Sequence, residues 1–132
     1  MLQTIPLWAV LAAGLSAFAL GGAWYTVLDK PWRAANGFGE TPPPTNMARV
    51  FGLSFLFSLL MAWNLAKFLD APGTTAAWGA TAGLLAGFGW CFLGLAIVSL
   101  FERRPWSYIL INGGYLTVAL TLMGLILGAA HR

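Results

Sequence analysis

Charged side chains are scarce in this sequence, and that scarcity excludes a water-soluble fold. Lys and Arg number seven and Asp and Glu four among 132 residues, so that 8% of the chain is charged and 59% is hydrophobic. A soluble domain has about a quarter of its residues charged. Because so few charges cannot cover the surface of such a chain, we expect lipid to surround much of its exterior. The length suits one domain, a single membrane domain over residues 1–132.

Metal ligands and catalytic side chains are also scarce. Cys91 is the only cysteine, His131 is the only histidine, and no charged residue lies deep within an apolar stretch. Metal binding requires several such ligands, and acid–base or nucleophilic catalysis requires a His, a carboxylate or an activated nucleophile. We therefore expect no enzyme activity, no bound metal and no cofactor. The cations do not cluster as nucleic-acid binding requires, so we expect no nucleic-acid partner.

Four long stretches without charge follow one another along the chain. The shortest, residues 50–66, just reaches the length of about 17 apolar residues that crosses a bilayer core. Its flanking Arg49 and Lys67 can extend their charged ends to the membrane surface. We predict an all-α fold, a four-helix transmembrane bundle with short loops, in which the helices cover about residues 5–28, 47–69, 74–100 and 105–130.

The connections between these helices contain turn residues. Pro31 should end the first helix, because a proline disfavours helical geometry at the residue before it. The larger loop, residues 29–46, contains three consecutive prolines and should have polyproline character. Thr74 or Thr75 is available to cap the third helix.

Lys and Arg are distributed unequally between the two ends of the predicted bundle. The end that contains the first and third loops has five, and the end that contains both termini has two: Lys30, Arg33, Arg49, Arg103 and Arg104 against Lys67 and Arg132. The positive-inside rule then places those loops in the cytoplasm and both termini outside.

Small residues recur every three or four positions in each predicted helix. In lipid, helix association depends on close backbone approach and interhelical hydrogen bonds, which small residues permit. The third helix has the strongest series, in which Gly94 continues the earlier glycines. We predict a compact bundle with little central space, packed through Gly79, Gly83, Gly87, Gly113, Thr117, Thr121 and Gly124. Trp90 lies well inside the third helix, where its N–H needs a partner, either in a packed core or beside a ligand.

Polar residues gather on one face of the fourth helix near the predicted cytoplasmic end. Tyr108, Asn112 and Tyr115 share that face because they are spaced by four and three positions. Two interpretations are open: an interfacial network in which acidic residues pair with arginines, or a site that contacts a lipid head group or another anion. The candidate contacts are Arg33, Glu102, Arg103, Arg104, Tyr108, Asn112 and Tyr115.

Several short motifs together resemble one bacterial membrane family. They are Gly21-Gly22-Ala23-Trp24-Tyr25, Lys30-Pro31-Trp32-Arg33, Leu100-Phe101-Glu102-Arg103-Arg104-Pro105, Gly114-Tyr115 and Met123-Gly124. This combination, over nearly the whole chain, resembles Domain of Unknown Function 1761. The family pattern places Leu-Phe-Gly before the first-loop lysine, where this chain has Val27-Leu28-Asp29, so we expect a different first turn. The resemblance implies a four-helix protein of a bacterial cytoplasmic (inner) membrane, without an assigned activity or catalytic residues.

Three classes of function compete. The favoured one is an accessory subunit or self-assembling scaffold that acts through helix–helix contacts, with membrane lipids and either further copies or another membrane protein as partners. An oligomeric channel or transporter for a small solute is the alternative, and its path would be lined by Ser54, Ser58, Asn112, Thr117 and Thr121. A lipid-modifying enzyme at the charged loops is the least favoured.

Overall fold

The computed structural model describes residues 1–132 and is entirely helical. Four of its helices are long and apolar enough to cross a membrane. The predicted fold class, a four-helix transmembrane bundle, is therefore confirmed. The third of these spans, Ala76–Phe101, is one continuous helix with a π-helical segment at its centre, and we call it the third span. The elements are α1 (Leu7–Val27), α2 (Asp29–Ala35), α3 (Met47–Leu69), α4 (Ala76–Ala86), the π segment (Gly87–Phe92), α5 (Leu93–Phe101) and α6 (Trp106–Ala129).

Proline and threonine determine where three of the spans begin. Pro6 and Pro105 are extended residues that immediately precede α1 and α6, so neither lies inside its helix. The Thr75 hydroxyl accepts a hydrogen bond from the Trp78 N–H at 3.1 Å, and the helix consequently begins at Ala76 and not at residue 74.

The first turn differs from the prediction, because part of the larger loop is helical. α1 ends at Val27, and α2 begins directly after Leu28. Pro31 does not prevent this helix, since it lies in the first turn, where its missing N–H has no intrahelical acceptor to lose. Gly37, with a φ of 72°, lies just after the end of α2 and allows the chain to turn away.

α6 is the central helix of the bundle. α1 and α3 pack on one side of α6 and on each other, whereas the third span packs on α6 alone and makes almost no contact with α3. Small residues on α1 and α3, such as Ala13 and Ala62, are completely buried against the larger Met123 and Leu127 of α6. The bundle is thus compact on both sides of α6 but is not closed around a central axis.

The contact between α6 and the third span is the closest in the molecule. A β-carbon added to Gly79 or Gly83 would overlap the backbone carbonyl oxygen of Gly124 or Leu120. Such direct backbone contact requires glycine, since any side chain would separate the helices. All seven residues predicted to pack helices lie along this contact: Gly79, Gly83 and Gly87 on the third span, and Gly113, Thr117, Thr121 and Gly124 on α6.

The π segment rotates the second half of the third span relative to the first. Buried positions are spaced by four up to Gly87, but after the segment they continue at Ala96 and Ser99. A π segment inserts an extra residue, which turns the following helix by about 100°. Gly94 and Trp90 therefore face outward. The expectation that Gly94 continues the glycine series is wrong, and so is the expectation of a packed Trp90, which is 72% exposed.

The end of the bundle that contains both termini, which we call the terminal end, is held together by side chain–backbone hydrogen bonds. The Asp70 carboxylate accepts hydrogen bonds from the Thr4 hydroxyl (2.6 Å), the Thr4 N–H and the Gln3 N–H. These hydrogen bonds, with the Thr4 hydroxyl contributing most, lower the pKa of Asp70 to about 2. The Arg132 N–H donates to the Thr4 carbonyl at 2.8 Å, so the two terminal segments are joined directly.

The opposite end, which we call the α2 end, consists of α2, residues 36–46 and the turn at residues 102–105. Here α3 separates from the bundle. Residues 47–57, the first three turns of α3, are exposed on every side, and we call this segment the α3 arm. Its main contacts are edge-to-face packing of Phe51 and Phe55 against Phe18 of α1, with ring centroids 6.3 and 5.5 Å apart. The compact bundle predicted from the small residues therefore does not extend to this end.

Candidate functional site

The polar residues predicted on α6 lie at the α2 end and connect α6 to α1. Tyr25 of α1 donates its hydroxyl proton to Oδ1 of Asn112 at 2.7 Å, and Nδ2 of Asn112 donates to the Tyr108 carbonyl at 3.0 Å. The Tyr115 hydroxyl donates to the Ala17 carbonyl at 2.7 Å. These bonds give both the oxygen and the nitrogen of the Asn112 amide a partner, and they join α1 to α6.

Aromatic rings continue this network out of the bundle. The Tyr25 ring lies 5.5 Å from the Tyr115 ring and 6.5 Å from Trp32 of α2, and Trp32 lies 5.5 Å from Phe38 in the loop. Trp24 extends the row on the α6 side, where its indole N–H donates to the Ile111 carbonyl at 2.9 Å. This aromatic row fixes α2 and the following loop against α1 and α6.

Arg33 serves mainly to shape the loop. Its guanidinium forms an ion pair with Asp29 one turn earlier, with N–O distances of 3.0 and 3.1 Å. The same side chain donates to the carbonyl oxygens of Glu40 (3.1 Å) and Gly39 (3.4 Å). Arg33 therefore ties residues 39 and 40 back onto α2.

The other predicted charged contacts form a separate group at the turn before α6. The Arg104 guanidinium carbon lies 5.0 Å from the centre of the Tyr108 ring, a cation–π contact, and its Nε lies 3.8 Å from the Glu102 carboxylate. Arg103 occupies the left-handed region at a φ of 60°, and the turn is tight enough for the Arg104 N–H to reach the Ser99 carbonyl at 2.9 Å. Glu102, Arg103 and Arg104 are all exposed.

The structure thus divides the seven predicted contacts into three groups. Asn112 and Tyr115 belong to the α1–α6 network, Arg104 stacks on Tyr108 beside Glu102, and Arg33 binds the loop. The prediction did not include Trp24, Tyr25, Lys30 or Phe38. The first two stand in the Gly-x-Trp-Tyr motif at the end of α1, so the motif was the available signal. Nothing in the sequence indicated that Phe38, in a loop, would join the aromatic row.

Two cavities flank Phe38 at the α2 end. A polar cavity of about 490 Å³ is lined by Lys30, Arg33, Ala34, Phe38, Gly39 and Glu40. An apolar cavity of about 620 Å³ is lined by Trp32, Phe38, Pro42, Pro43, Pro44, Thr45 and Met47. Because Phe38 lines both, the polar and apolar cavities are neighbours.

Three Ser and Thr hydroxyl groups in the spans bond to their own helices, whereas the buried Ser99 hydroxyl of the third span has no hydrogen-bond partner. The Thr117 hydroxyl donates to the Gly113 carbonyl at 2.8 Å, the Thr121 hydroxyl to the Thr117 carbonyl at 2.7 Å, and the Ser58 hydroxyl to the Ser54 carbonyl at 2.8 Å. Thr117 and Thr121 also lie at the contact with the third span. No group of three or more His, Cys, Asp and Glu side chains lies close enough together to hold a metal ion.

Four membrane-capable helices with a polar network at one end define a multi-pass helical membrane protein. A family model described as "Protein of unknown function (DUF1761)" matches residues 8–128, nearly the whole chain, and the protein therefore belongs to this family. No curated protein and no solved structure matches it.

Proposed function

We propose that this protein acts through helix–helix contacts in a bacterial cytoplasmic membrane, as a self-assembling scaffold or as an accessory subunit of another membrane protein. The proposal assigns it no catalytic activity. The proposed contact surface of the protein lies on the third span, on the side turned away from α6. It comprises Gly89, Trp90 and Gly94, and we call it the outward face.

The observation that carries the proposal is the position of Trp90. It lies 14 residues after Ala76 and 11 residues before Phe101, near the middle of the third span. Its indole is exposed, and its N–H has no hydrogen-bond acceptor within the chain. A hydrogen-bond donor without an acceptor is unfavourable in the hydrocarbon core of a membrane. Tryptophans in membrane proteins ordinarily lie near the polar interfaces instead. An acceptor on a neighbouring helix would remove that cost.

Two glycines beside Trp90 make close approach of another helix possible. No atom lies within 4 Å of a β-carbon added to Gly89 or Gly94, in contrast to the crowded glycines against α6. These positions therefore gain nothing from glycine within one chain. Small residues on a lipid-facing surface favour contact between helix backbones.

A leucine scan of the exposed glycines tests the outward face without disturbing the fold. Gly22, Gly52, Gly89 and Gly94 all have open space around the added side chain. We expect Gly89→Leu and Gly94→Leu to weaken assembly at least about tenfold, equivalent to 1.4 kcal/mol, as measured by native mass spectrometry in mild detergent. Gly22→Leu on α1 and Gly52→Leu on the α3 arm are the matched controls and should assemble normally.

The tryptophan is tested in the same assay. Trp90→Phe retains an aromatic ring but removes the N–H, and it should weaken assembly more than Trp78→Phe, the same change near the end of the span. A wild-type protein that is monomeric, without any co-purifying protein, would refute the proposal. Liposome flux of a small solute that falls in Thr117→Val/Thr121→Val would instead support the channel alternative.

The orientation proposed from the positive charges places both termini outside the cytoplasm. A cysteine in place of Arg132 should therefore react with a membrane-impermeant thiol reagent added to the periplasmic side of spheroplasts. One in place of Arg103 should react only after the membrane is opened. The reverse pattern would invert the orientation.

A further inference from the structure

The polar cavity at the α2 end contains an unpaired charge of each sign. Arg33 is neutralised by Asp29, so the remaining ionic side chains that line the cavity are Lys30 and Glu40. Lys30 forms no ion pair with Glu40 or with any other residue, although both line the same cavity. One cation and one anion held apart in one cavity complement a ligand that itself carries both charges.

Backbone donors add to this cavity. The Gly39 and Glu40 N–H groups donate to no acceptor within the chain, while their carbonyl oxygens are held by Arg33. Arg33 thereby fixes the position of Gly39 and Glu40, two residues that line the cavity and whose N–H groups are free to donate. Lys30 and these N–H groups are suitable donors to phosphate oxygens.

The cavities lie where two spans meet the membrane surface. α1 ends at Val27, three residues before Lys30, and Met47 both begins α3 and lines the apolar cavity. The polar cavity is therefore at the depth of lipid head groups. The apolar cavity adjoins the α3 arm, which is exposed on every side and offers an apolar path into the bilayer.

We propose that the paired cavities bind a zwitterionic phospholipid whose head group carries a primary ammonium, as in phosphatidylethanolamine. Lys30 and the free N–H groups bind the phosphate, the Glu40 carboxylate binds the ammonium, and an acyl chain lies past Phe38 in the apolar cavity. A purely anionic lipid would leave Glu40 beside a like charge. This site is separate from the outward face of the third span, and neither proposal depends on the other.

The test compares lipids that share acyl chains and differ in head group. Delipidated protein in mild detergent is titrated with phosphatidylethanolamine, phosphatidylglycerol or phosphatidylcholine, and lipid retention is measured by native mass spectrometry. We expect the ethanolamine lipid to be retained best. Lys30→Gln should lower its retention about tenfold, as expected for one charge-assisted hydrogen bond. Arg49→Gln, which removes a nearby exposed cation that does not line the cavity, is the matched control.

Two further measurements make the proposal falsifiable. Glu40→Gln should lower the retention of phosphatidylethanolamine and raise that of phosphatidylglycerol. If the wild-type protein instead retained phosphatidylglycerol best, the site would be one for anionic lipids, and the proposal would be overturned. O-Phosphorylethanolamine, the head group without acyl chains, should fail to compete at millimolar concentration. Equal binding of this free head group would show that the apolar cavity is not part of the site and would also overturn it. Far-UV circular dichroism verifies that each variant is folded.

Discussion

The two ends of this bundle are built from the same helices but are held together in different ways. At the terminal end, alanines of α1 and α3 pack directly against α6, and the Asp70 carboxylate joins the first residues of the chain to the end of α3. At the α2 end, α1 and α6 are joined through Tyr25, Asn112 and Tyr115, and α3 departs from the bundle. The difference indicates that direct packing of small residues joins the helices at the terminal end, whereas hydrogen bonds of large polar side chains join them at the α2 end.

That difference extends to the two cavities that Phe38 lines. Both of these cavities lie at the α2 end, between α2, its loop and the start of α3. Their lining consists of aromatic side chains, charged residues of α2 and the proline-containing loop.

The largest expected effect comes from breaking the contact between α6 and the third span. A side chain at Gly83 would collide with the backbone of Leu120 and Thr121, neither of which can move without displacing α6. We expect Gly83→Leu to lower the free energy of unfolding by at least about 3 kcal/mol. Denaturation in mixed detergent micelles would measure this change.

Gly89→Leu is the matched control for that substitution, since it lies on the same span but has open space around it. It should leave the stability of the monomer unchanged or slightly higher, because leucine favours helix more than glycine does. Equal destabilisation by the two variants would show that the contact with α6 is not the reason why Gly83→Leu destabilises the protein.

A moderate effect is expected from removing one hydrogen bond at the α2 end. Tyr25→Phe keeps the ring but leaves Oδ1 of Asn112 without its donor, and it should cost about 1 kcal/mol of unfolding free energy. Tyr108→Phe is the control, because the Tyr108 hydroxyl forms no hydrogen bond within the chain and its ring would still stack on Arg104. If the two variants were equally stable, the aromatic packing alone would account for the α1–α6 spacing at this end.

The smallest effect is local and concerns the Asp70 carboxylate at the terminal end. Its pKa of about 2 is below the ordinary value of about 4, so its hydrogen bonds are fully present above pH 4 and are lost as the pH falls through 2. The amide proton shifts of Gln3 and Thr4 should therefore titrate with a midpoint near pH 2, as followed by NMR. Asp70→Asn should abolish this titration without changing α2, and a midpoint near 4 would mean that the bonds to Thr4 do not form.

The sequence predicted the spans well, because the length and charge of each stretch report directly on bilayer crossing. It predicted the end of α1 less well. The sequence places Pro31 in a loop, because a proline disfavours helical geometry at the residue before it. In the structure a new helix, α2, begins at Asp29, two residues before Pro31, and that rule does not predict this start. The candidate site was predicted in its α6 residues, which share one helix face. The loop residue Phe38 was missed, and Lys30 was predicted at this end only as one of its charges. Their role depends on how α2 folds back, which no local pattern encodes.

The sequence by itself determined that this chain has four helices long and apolar enough to cross a membrane and that small residues recur along each of them, because composition and helical periodicity are local properties. The tertiary structure alone decided which faces those residues occupy. The π segment turned Gly94 and Trp90 away from α6, although their spacing in the sequence continues the buried series. It also decided that α3 separates from the bundle and that Phe38 lines both a polar and an apolar cavity. Those features depend on contacts between residues far apart in the chain.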